Sequence, residues 1–413
     1  MNKLNEKNLL VLTTWFPPSR ELAYTSSFIY DSVLNISKCF NKVYVISLIP
    51  KIPSILRRKP WLRKILGLNN RWHAQLDSKE FGKDYKEGNL YVFYIGTFPL
   101  SSKGLGIKPI DWVIPKICKT IDKLEKIDIV HSHFLYPSGY IGMQLKKKFN
   151  IPLVVTGHGS NVIPLLCRNR KSINRKMILV LNHADAILTV GKGLRDVLIN
   201  EYNISKSKVF IVPNPLNPEK FYRMGKIEAR KELNISPDKK LLLSVGSLSE
   251  FKGFSYLIKG GELLYKHFKD FKIVIIGSGP KYRELNRLIR RLKLENVVHI
   301  LPTMSQEELR VWFNAADLFI LPSLTEGLGM VQLEAMACGT PVVATKNGGS
   351  ETIITDDKVG ILVEPGDSES LYKGILEALN KSWDEEYIVA HSKKFSPENF
   401  IKKSTEIYLR LIH

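Results

Sequence analysis

The chain has 413 residues and a formal charge of +21 at pH 7, with 61 Lys and Arg against 40 Asp and Glu. It is long enough for two domains, and its 44% hydrophobic and 24% charged composition is that of a globular protein, not of a disordered or fibrous one. No run of about 18 uninterrupted apolar residues occurs, so no membrane-spanning helix is expected.

The N-terminal segment MNKLNEKNLLVLTTWFPP has too short an apolar run for a secretory signal and reads as a first core strand. Short apolar runs then alternate with stretches of helical spacing. Strands are expected at 9–15, 43–49, 90–96, 129–134, 153–157, 186–190 and 209–212. A second series is expected at 241–246, 272–277, 297–301, 318–322, 342–345 and 361–363. Helices are expected at 281–294, 307–316 and 397–413. This alternation predicts parallel sheets with helices on both faces, and two series predict two doubly wound α/β domains. Between them lies Pro213-Asn214-Pro215-Leu216-Asn217-Pro218, where three prolines in six residues oppose regular structure. The division is therefore 1–212, a linker at 213–218, 219–395, and a terminal helix from 396 to 413. No short repeat or low-complexity tract interrupts it. Cys39, Cys118, Cys167 and Cys338 have no paired spacing and read as reduced core thiols of a cytoplasmic protein.

The charge is unevenly placed. Residues 1–225 carry 35 Lys and Arg against 15 Asp and Glu, whereas residues 226–413 carry 26 against 25. Within the basic half, Lys51, Arg57, Arg58, Lys59, Arg63, Lys64 and Arg71 surround Ile55, Leu56, Trp61, Leu62, Ile65 and Leu66. A basic, apolar, Trp-bearing segment fits a surface that faces anionic lipid, and a solvated basic loop is the alternative. No helix-turn-helix, RNA-binding or zinc-finger pattern accompanies the charge, which ranks nucleic acid last.

The densest chemistry lies in TEGLGMVQLEAMACGTPVVA. Glu326 and Glu334, with seven residues between them, follow the strand at 318–322. Gly327 and Gly329 mark a turn, an apolar helix with Glu334 about two turns in runs to Ala337, Gly339 stops it, and Pro341 opens the next strand. A glycine turn lets backbone approach a ligand, and a helix N-terminus attracts phosphate. Carboxylates beside such a site accept hydrogen bonds from hydroxyls, which suits a sugar nucleotide. Taken singly, Glu326 would pass as a first-turn acid and Glu334 as a solvated surface residue.

As a whole the run closely resembles the Glu-x7-Glu signature of family 4 glycosyltransferases. The match includes Pro322, Ser323, Glu326, Gly327, Gly329, Glu334, Ala335, Gly339, Pro341, Val342, Gly348, Gly349 and Glu351. The resemblance implies the GT-B fold: two Rossmann-like domains facing across a cleft, with a C-terminal helix crossing back to the first. It implies a retaining transfer of sugar from a nucleoside diphosphate to an acceptor hydroxyl, without a cofactor. A UDP-sugar is expected ahead of a GDP- or ADP-sugar. By the same resemblance Glu326 holds the donor sugar's hydroxyls and Glu334 the ribose hydroxyls, while amides near Gly327, Leu328 and Gly329 face the diphosphate.

Other motifs align with the same family. Leu243 to Leu248 with Lys252-Gly253 opens the second domain, and Lys252 matches the lysine that neutralises the diphosphate. Ser247 stands where family members carry an arginine. Gly277 and Gly279 lie in Gly-Ser-Gly-Pro, a strand-to-helix turn. Leu301 and Thr303 fall where the family cradles the base by main chain, and nothing there tells one base from another. In the first domain, Thr156-Gly157-His158-Gly159-Ser160-Asn161 resembles the family's His-Gly-Ser-Asp motif, with Asn161 in place of the acid. That motif brings His158 to the donor sugar near its reacting carbon. His131 and His133 resemble a recurrent His-x-His, with acceptor-side function and packing as alternatives. The loop Ser19 to Ser27 holds no glycine where the family has a glycine-rich one. No Asp-x-Asp pair occurs, in keeping with transfer that needs no metal.

Two rivals remain at this level: a sugar-nucleotide 2-epimerase on the same fold, and a catalytically silent binding protein. The expected partners are a nucleotide sugar, a glycan or lipid-linked acceptor and an anionic membrane surface, with no nucleic acid. By the resemblance, the expected setting is cell-surface polysaccharide or glycolipid assembly on the inner face of the cell membrane. Replacing Arg57, Arg58, Lys59, Arg63 and Lys64 by Gln is expected to release the protein from anionic vesicles at moderate salt, since each cation contributes about 1 kcal/mol at such a surface. Cosedimentation equal to that of the wild type would leave the segment a solvated loop.

Overall fold

A computed structural model describes residues 4–14, 16–17, 28–50, 82–97, 110–159 and 171–412. The basic segment around Trp61, together with Asn161 and Cys167, lies outside the described residues. Each apolar run read from the sequence becomes a parallel strand. In the first sheet these are β1 (Asn8–Thr13), β2 (Lys42–Pro50), β4 (Leu90–Thr97), β5 (Ile129–His133), β6 (Leu153–Gly157), β7 (Ala186–Thr189) and β8 (Val209–Ile211), joined by an unexpected edge strand β3 (Tyr85–Glu87). In the second they are β9 (Lys240–Val245), β10 (Phe271–Ile276), β11 (Val298–Leu301), β12 (Leu318–Leu321), β13 (Val342–Thr345) and β14 (Gly360–Val363).

The first sheet has the order β3-β4-β2-β1-β5-β6-β7-β8 and the second β11-β10-β9-β12-β13-β14. In both, order reverses beside the first strand of the series. β1, β5 and β6 are buried along their whole length because helices cover both faces, which is why they read as continuous apolar runs without alternation. β3 is the exception to the parallel pattern. It pairs antiparallel with β4, Glu87 opposite Leu90, across the two-residue turn Gly88-Asn89. Three residues, two of them charged, carry no apolar run by which to expect it.

Two compact units result. One gathers Met1–Val190, Arg195–Val212 and Phe400–His413; the other gathers Gly191–Leu194 and Pro213–Asn399. The terminal helix Pro397–Leu411 thus gives most of its length to the first unit, as expected. Phe400, Ile407 and Tyr408 join the core built from Leu9, Val11, Phe40 and Val43. The second core centres on Leu242, Leu257, Ile273, Leu318 and Val343. Cys118 and Cys338 are buried thiols and Cys39 is half-buried, none in a disulfide. No helix among the described residues is long and apolar enough to cross a membrane.

Local chemistry sets the element ends. The helix Gln306–Ala315 starts one residue before its expected place because Ser305 and Glu308 cap it reciprocally, Glu308 N to Ser305 Oγ at 3.2 Å and Ser305 N to Glu308 Oε2 at 2.7 Å. The start of β9 is anchored by Asp317, just ahead of β12. Its carboxylate accepts from the Leu241 amide at 2.7 Å and from Lys226 Nζ at 2.8 Å, and it pairs with Arg230. Arg230 also donates from Nε to Ala315 O at 3.0 Å and from Nη1 to Pro237 O at 2.8 Å. Burial would raise the Asp317 pKa, but Lys226, the Leu241 amide and Arg230 outweigh it and leave the carboxyl below its ordinary 3.8.

Removing one partner of a buried pair leaves the other uncompensated, at a cost of about 3–5 kcal/mol. Asp317→Ala is therefore expected to lower unfolding stability by about 3 kcal/mol in denaturant titrations at pH 7. Because the folded-state pKa is depressed, the contribution of Asp317 is complete well above pH 3.8 and fades as pH falls below it. The difference between wild type and Asp317→Asn should shrink below that value.

Candidate active site

Between β9 and β12 the second sheet reverses its order, so the loops leaving these adjacent strands run in opposite directions and open a crevice at the carboxyl edge. Lys252 follows β9 and Glu326 follows β12, and their side chains meet across that crevice. Lys252 Nζ donates to Glu326 Oε1, and Ser323 Oγ donates to the same oxygen at 2.7 Å. Side-chain exposure is 25% for Lys252 and 12% for Glu326, so solvent screens the pair only in part. The backbones also join here, Leu324 N to Phe251 O at 2.8 Å. Gly253 makes the approach possible. Its φ is +64°, and a Cβ would stand 2.0 Å from the Pro322 carbonyl oxygen.

The turn that carries Glu326 is held from below. Glu326 N donates to Asn347 O at 2.9 Å. The buried Asn347 folds its own segment, its Oδ1 accepting from Gly349 N at 3.0 Å and Ser350 N at 2.9 Å. Glu351 accepts from Gly348 N at 2.9 Å. Gly329 has φ +80° and precedes the helix Met330–Ala337, in which the buried Gln332 donates from Nε2 to Leu328 O at 2.8 Å. The helix starts at Met330, so Glu334 lies little more than one turn in, not two as its distance from the glycine turn implied. It is half-buried, one turn from Cys338. Burial and then the Glu334 carboxylate push the Cys338 thiol up to about 12. Asn347 and Gln332 were missed by sequence reasoning, although an asparagine before Gly-Gly and a lone amide in an apolar helix were available signals.

The other residues that the sequence places on the donor side line the same edge. Gly246 N donates to Ile276 O at 3.0 Å, Leu248 N to Ser278 O at 2.9 Å and Gly277 N to Leu301 O at 3.0 Å. Thr303 Oγ1 donates to Ser278 Oγ at 3.0 Å. These bonds bring together Gly277, Gly279, Leu301 and Thr303 with the exposed Ser247, whose Oγ lies 3.3 Å from Ser249 Oγ.

In the first unit three histidines stack at the carboxyl ends of β5 and β6. Ring centroids are 4.5 Å apart for His131 and His133, and 5.2 Å for His133 and His158. His131 is engaged at both nitrogens, by Tyr408 Oη at 2.8 Å and Thr156 Oγ1 at 2.7 Å, a placement that the packing alternative expects. His133 Nδ1 and His158 Nε2 share a proton at 2.9 Å. Burial, with the neighbouring imidazoles, holds His131 and His158 well below the ordinary 6.5, and burial brings His133 to about 3. All three are neutral at physiological pH.

Two family models cover most of the chain: Glycosyl transferases group 1 matches residues 225–395, and Glycosyltransferase Family 4 matches residues 77–220. A glycosyltransferase of Methanocaldococcus jannaschii is 30% identical over 298 residues, 69% of this chain and 76% of its own length. The chain belongs to the group 1 glycosyltransferases of family 4.

A D-inositol 3-phosphate glycosyltransferase of Pseudarthrobacter chlorophenolicus is 31% identical over 58% of this chain and 59% of its own. Among solved structures, sucrose-phosphate synthase of Thermosynechococcus elongatus has a TM-score of 0.72 at 19% identity and covers 98% of this chain and 99% of its own. HepE of Anabaena, solved with UDP and glucose, has a TM-score of 0.71 at 17% identity over 98% and 100%. These likenesses establish the GT-B fold. The group 1 match spans both Lys252 and Glu326, so in this glycosyltransferase the family-matched residues and the switch-point crevice coincide.

The approach at Gly253 allows a direct test. A methyl group at a positive φ and against a carbonyl forces the backbone apart, at about 1–3 kcal/mol. Gly253→Ala is expected to lower the melting temperature and to loosen the Lys252–Glu326 contact, read as faster amide exchange at Phe251 to Phe254 and Leu324 to Glu326. Unchanged exchange would show that the two loops are held independently.

Proposed function

We propose that this glycosyltransferase transfers a sugar, with retention, from a nucleoside diphosphate to an acceptor hydroxyl. The observation that carries the reading is the Lys252–Glu326 pair at the crevice between β9 and β12, with Ser323 on the same carboxylate oxygen. Glu326 is an acceptor for sugar hydroxyls and Lys252 a cation for phosphate, held side by side on a rigid edge. UDP-sugars are the favoured donors, supported by the likeness of the fold to HepE, solved with UDP-glucose. The acceptor is a glycan or lipid-linked acceptor at an anionic membrane face, a reading supported by the charge surplus of residues 1–225.

The barrier is charge separation. As the bond from the anomeric carbon to phosphate oxygen breaks, the diphosphate gains negative charge and the sugar becomes oxocarbenium-like. A fixed cation helps where that charge develops. Lys252 stabilises the departing diphosphate, together with main-chain amides of Gly327 to Gly329. Glu326 orients the sugar through its hydroxyls, Glu334 takes the ribose hydroxyls, and, as the family resemblance implies, His158 acts on the sugar. The acceptor oxygen bonds to the anomeric carbon on the face the diphosphate leaves, and its proton passes to the departing phosphate oxygen.

Thermal-shift measurements against UDP-, GDP- and ADP-sugars should raise the melting temperature with one class, because a ligand that binds only the folded state stabilises it. With that donor, Glu326→Gln is expected to fold normally and lose about 10²–10³ in turnover, the usual effect of deleting one preorganised electrostatic contact. Turnover like that of the wild type, or a product of inverted anomeric configuration, would overturn the proposal.

A further inference from the structure

The stacked imidazoles carry more than packing. His158 is flanked by Phe28 and Phe134, at ring distances of 4.8 and 5.1 Å, and its Nδ1 is buried without a hydrogen-bond partner among the described residues. Its other nitrogen, Nε2, meets Nδ1 of His133 at 2.9 Å. A single proton lies between them, and its placement has consequences. If His133 donates, the neutral His158 carries its own hydrogen on Nδ1, as a buried donor with no partner. If His158 donates, Nδ1 keeps only a lone pair. An orphaned buried N–H is the rarer and costlier of the two. His131 presses on His133 from the other side, at 28° to its plane, and cannot rotate because Tyr408 and Thr156 hold both its nitrogens.

We propose that His133 is a positioning residue: it accepts the Nε2–H of His158 and so presents Nδ1 of His158 as a hydrogen-bond acceptor to a hydroxyl of the sugar ligand. His131, fixed by Tyr408 of the terminal helix, braces His133 in that role. The inference rests on the proposed action of His158 on the sugar, but the tautomer itself can be read without turnover. It also makes the terminal helix part of the support of a functional side chain: through one tyrosine hydroxyl it orients two rings.

The test uses the full chain labelled with ¹⁵N-histidine, the His158 signals being assigned by their loss in His158→Ala. The wild type should show a pyridine-type nitrogen at Nδ1 of His158 and a pyrrole-type nitrogen at Nε2. His133→Phe keeps a ring in the stack but removes the acceptor. It should mix the His158 tautomers and lower kcat/KM about tenfold, the worth of one ordinary hydrogen bond. His133→Asn, whose side-chain oxygen can accept from Nε2–H, should restore most of both readouts. Tyr408→Phe should move the same signals less, and it serves where His133→Phe melts near the assay temperature. A proton on Nδ1 in the wild type overturns the proposal. So do unchanged His158 signals in both His133→Phe and Tyr408→Phe. His158→Ala with undiminished turnover, beside the expected tautomer, would instead remove His158 from the reaction and leave His133 only a structural partner.

Discussion

The reversal of strand order between β9 and β12 is the constraint on which the second unit's chemistry depends. Adjacent parallel strands whose connections leave in opposite directions open a gap at their carboxyl ends. The gap is a property of topology, independent of what fills it. This chain fills it with a lysine from one loop and a glutamate from the other. They can meet only because Gly253 lets one backbone lie against the Pro322 carbonyl. The pair is therefore set by main-chain geometry before any side-chain attraction acts. That matters because two long side chains at partial exposure gain little net stability from pairing. The backbone holds the loops, and the charges are free to serve a ligand.

What the sequence disclosed, and what it did not, follows the same physics. Parallel strands announce themselves because the faces they bury are apolar, and all thirteen expected runs appear as strands. β3 was illegible because a three-residue edge strand with one covered face leaves no pattern. Glu326 and Lys252 were legible through their glycine context. Their contact was not, because nothing in spacing says that loops 74 residues apart share a crevice. The depth of Glu334 was misjudged because the glycine turn continues through Gly329 and delays the helix. His131 and His133 were visible as a pair at a strand end. Their union with Tyr408, 277 residues from His131, needed the fold.

Two buried clusters solve opposite electrostatic problems. Around Asp317 the carboxylate is compensated at close range by Lys226 and Arg230. In the histidine stack of the first unit burial removes charge instead, leaving three imidazoles neutral so that each ring nitrogen acts only as a donor or acceptor. A neutral stack transmits orientation, whereas a charged one would repel itself. The basic surplus of residues 1–225 is thus not a feature of this buried centre.

Ser247 bears on how the proposed chemistry is divided. A serine hydroxyl can give a departing diphosphate one hydrogen bond and no net charge. Another cation near this loop is Lys281, whose amide donates to Leu248 O at 3.0 Å. Its ammonium, however, is paired with Glu250 and with Glu284. An ammonium shared by two carboxylates offers little field to a third anion. Among the described residues, the proposed chemistry therefore places charge stabilisation on Lys252 and on backbone amides. Under that proposal Lys252 is released to a phosphate only in so far as Glu326 finds hydroxyl partners instead. Phosphate binding and sugar binding would then be coupled through one carboxylate: a sugar that occupied Glu326 would free the cation its own diphosphate requires.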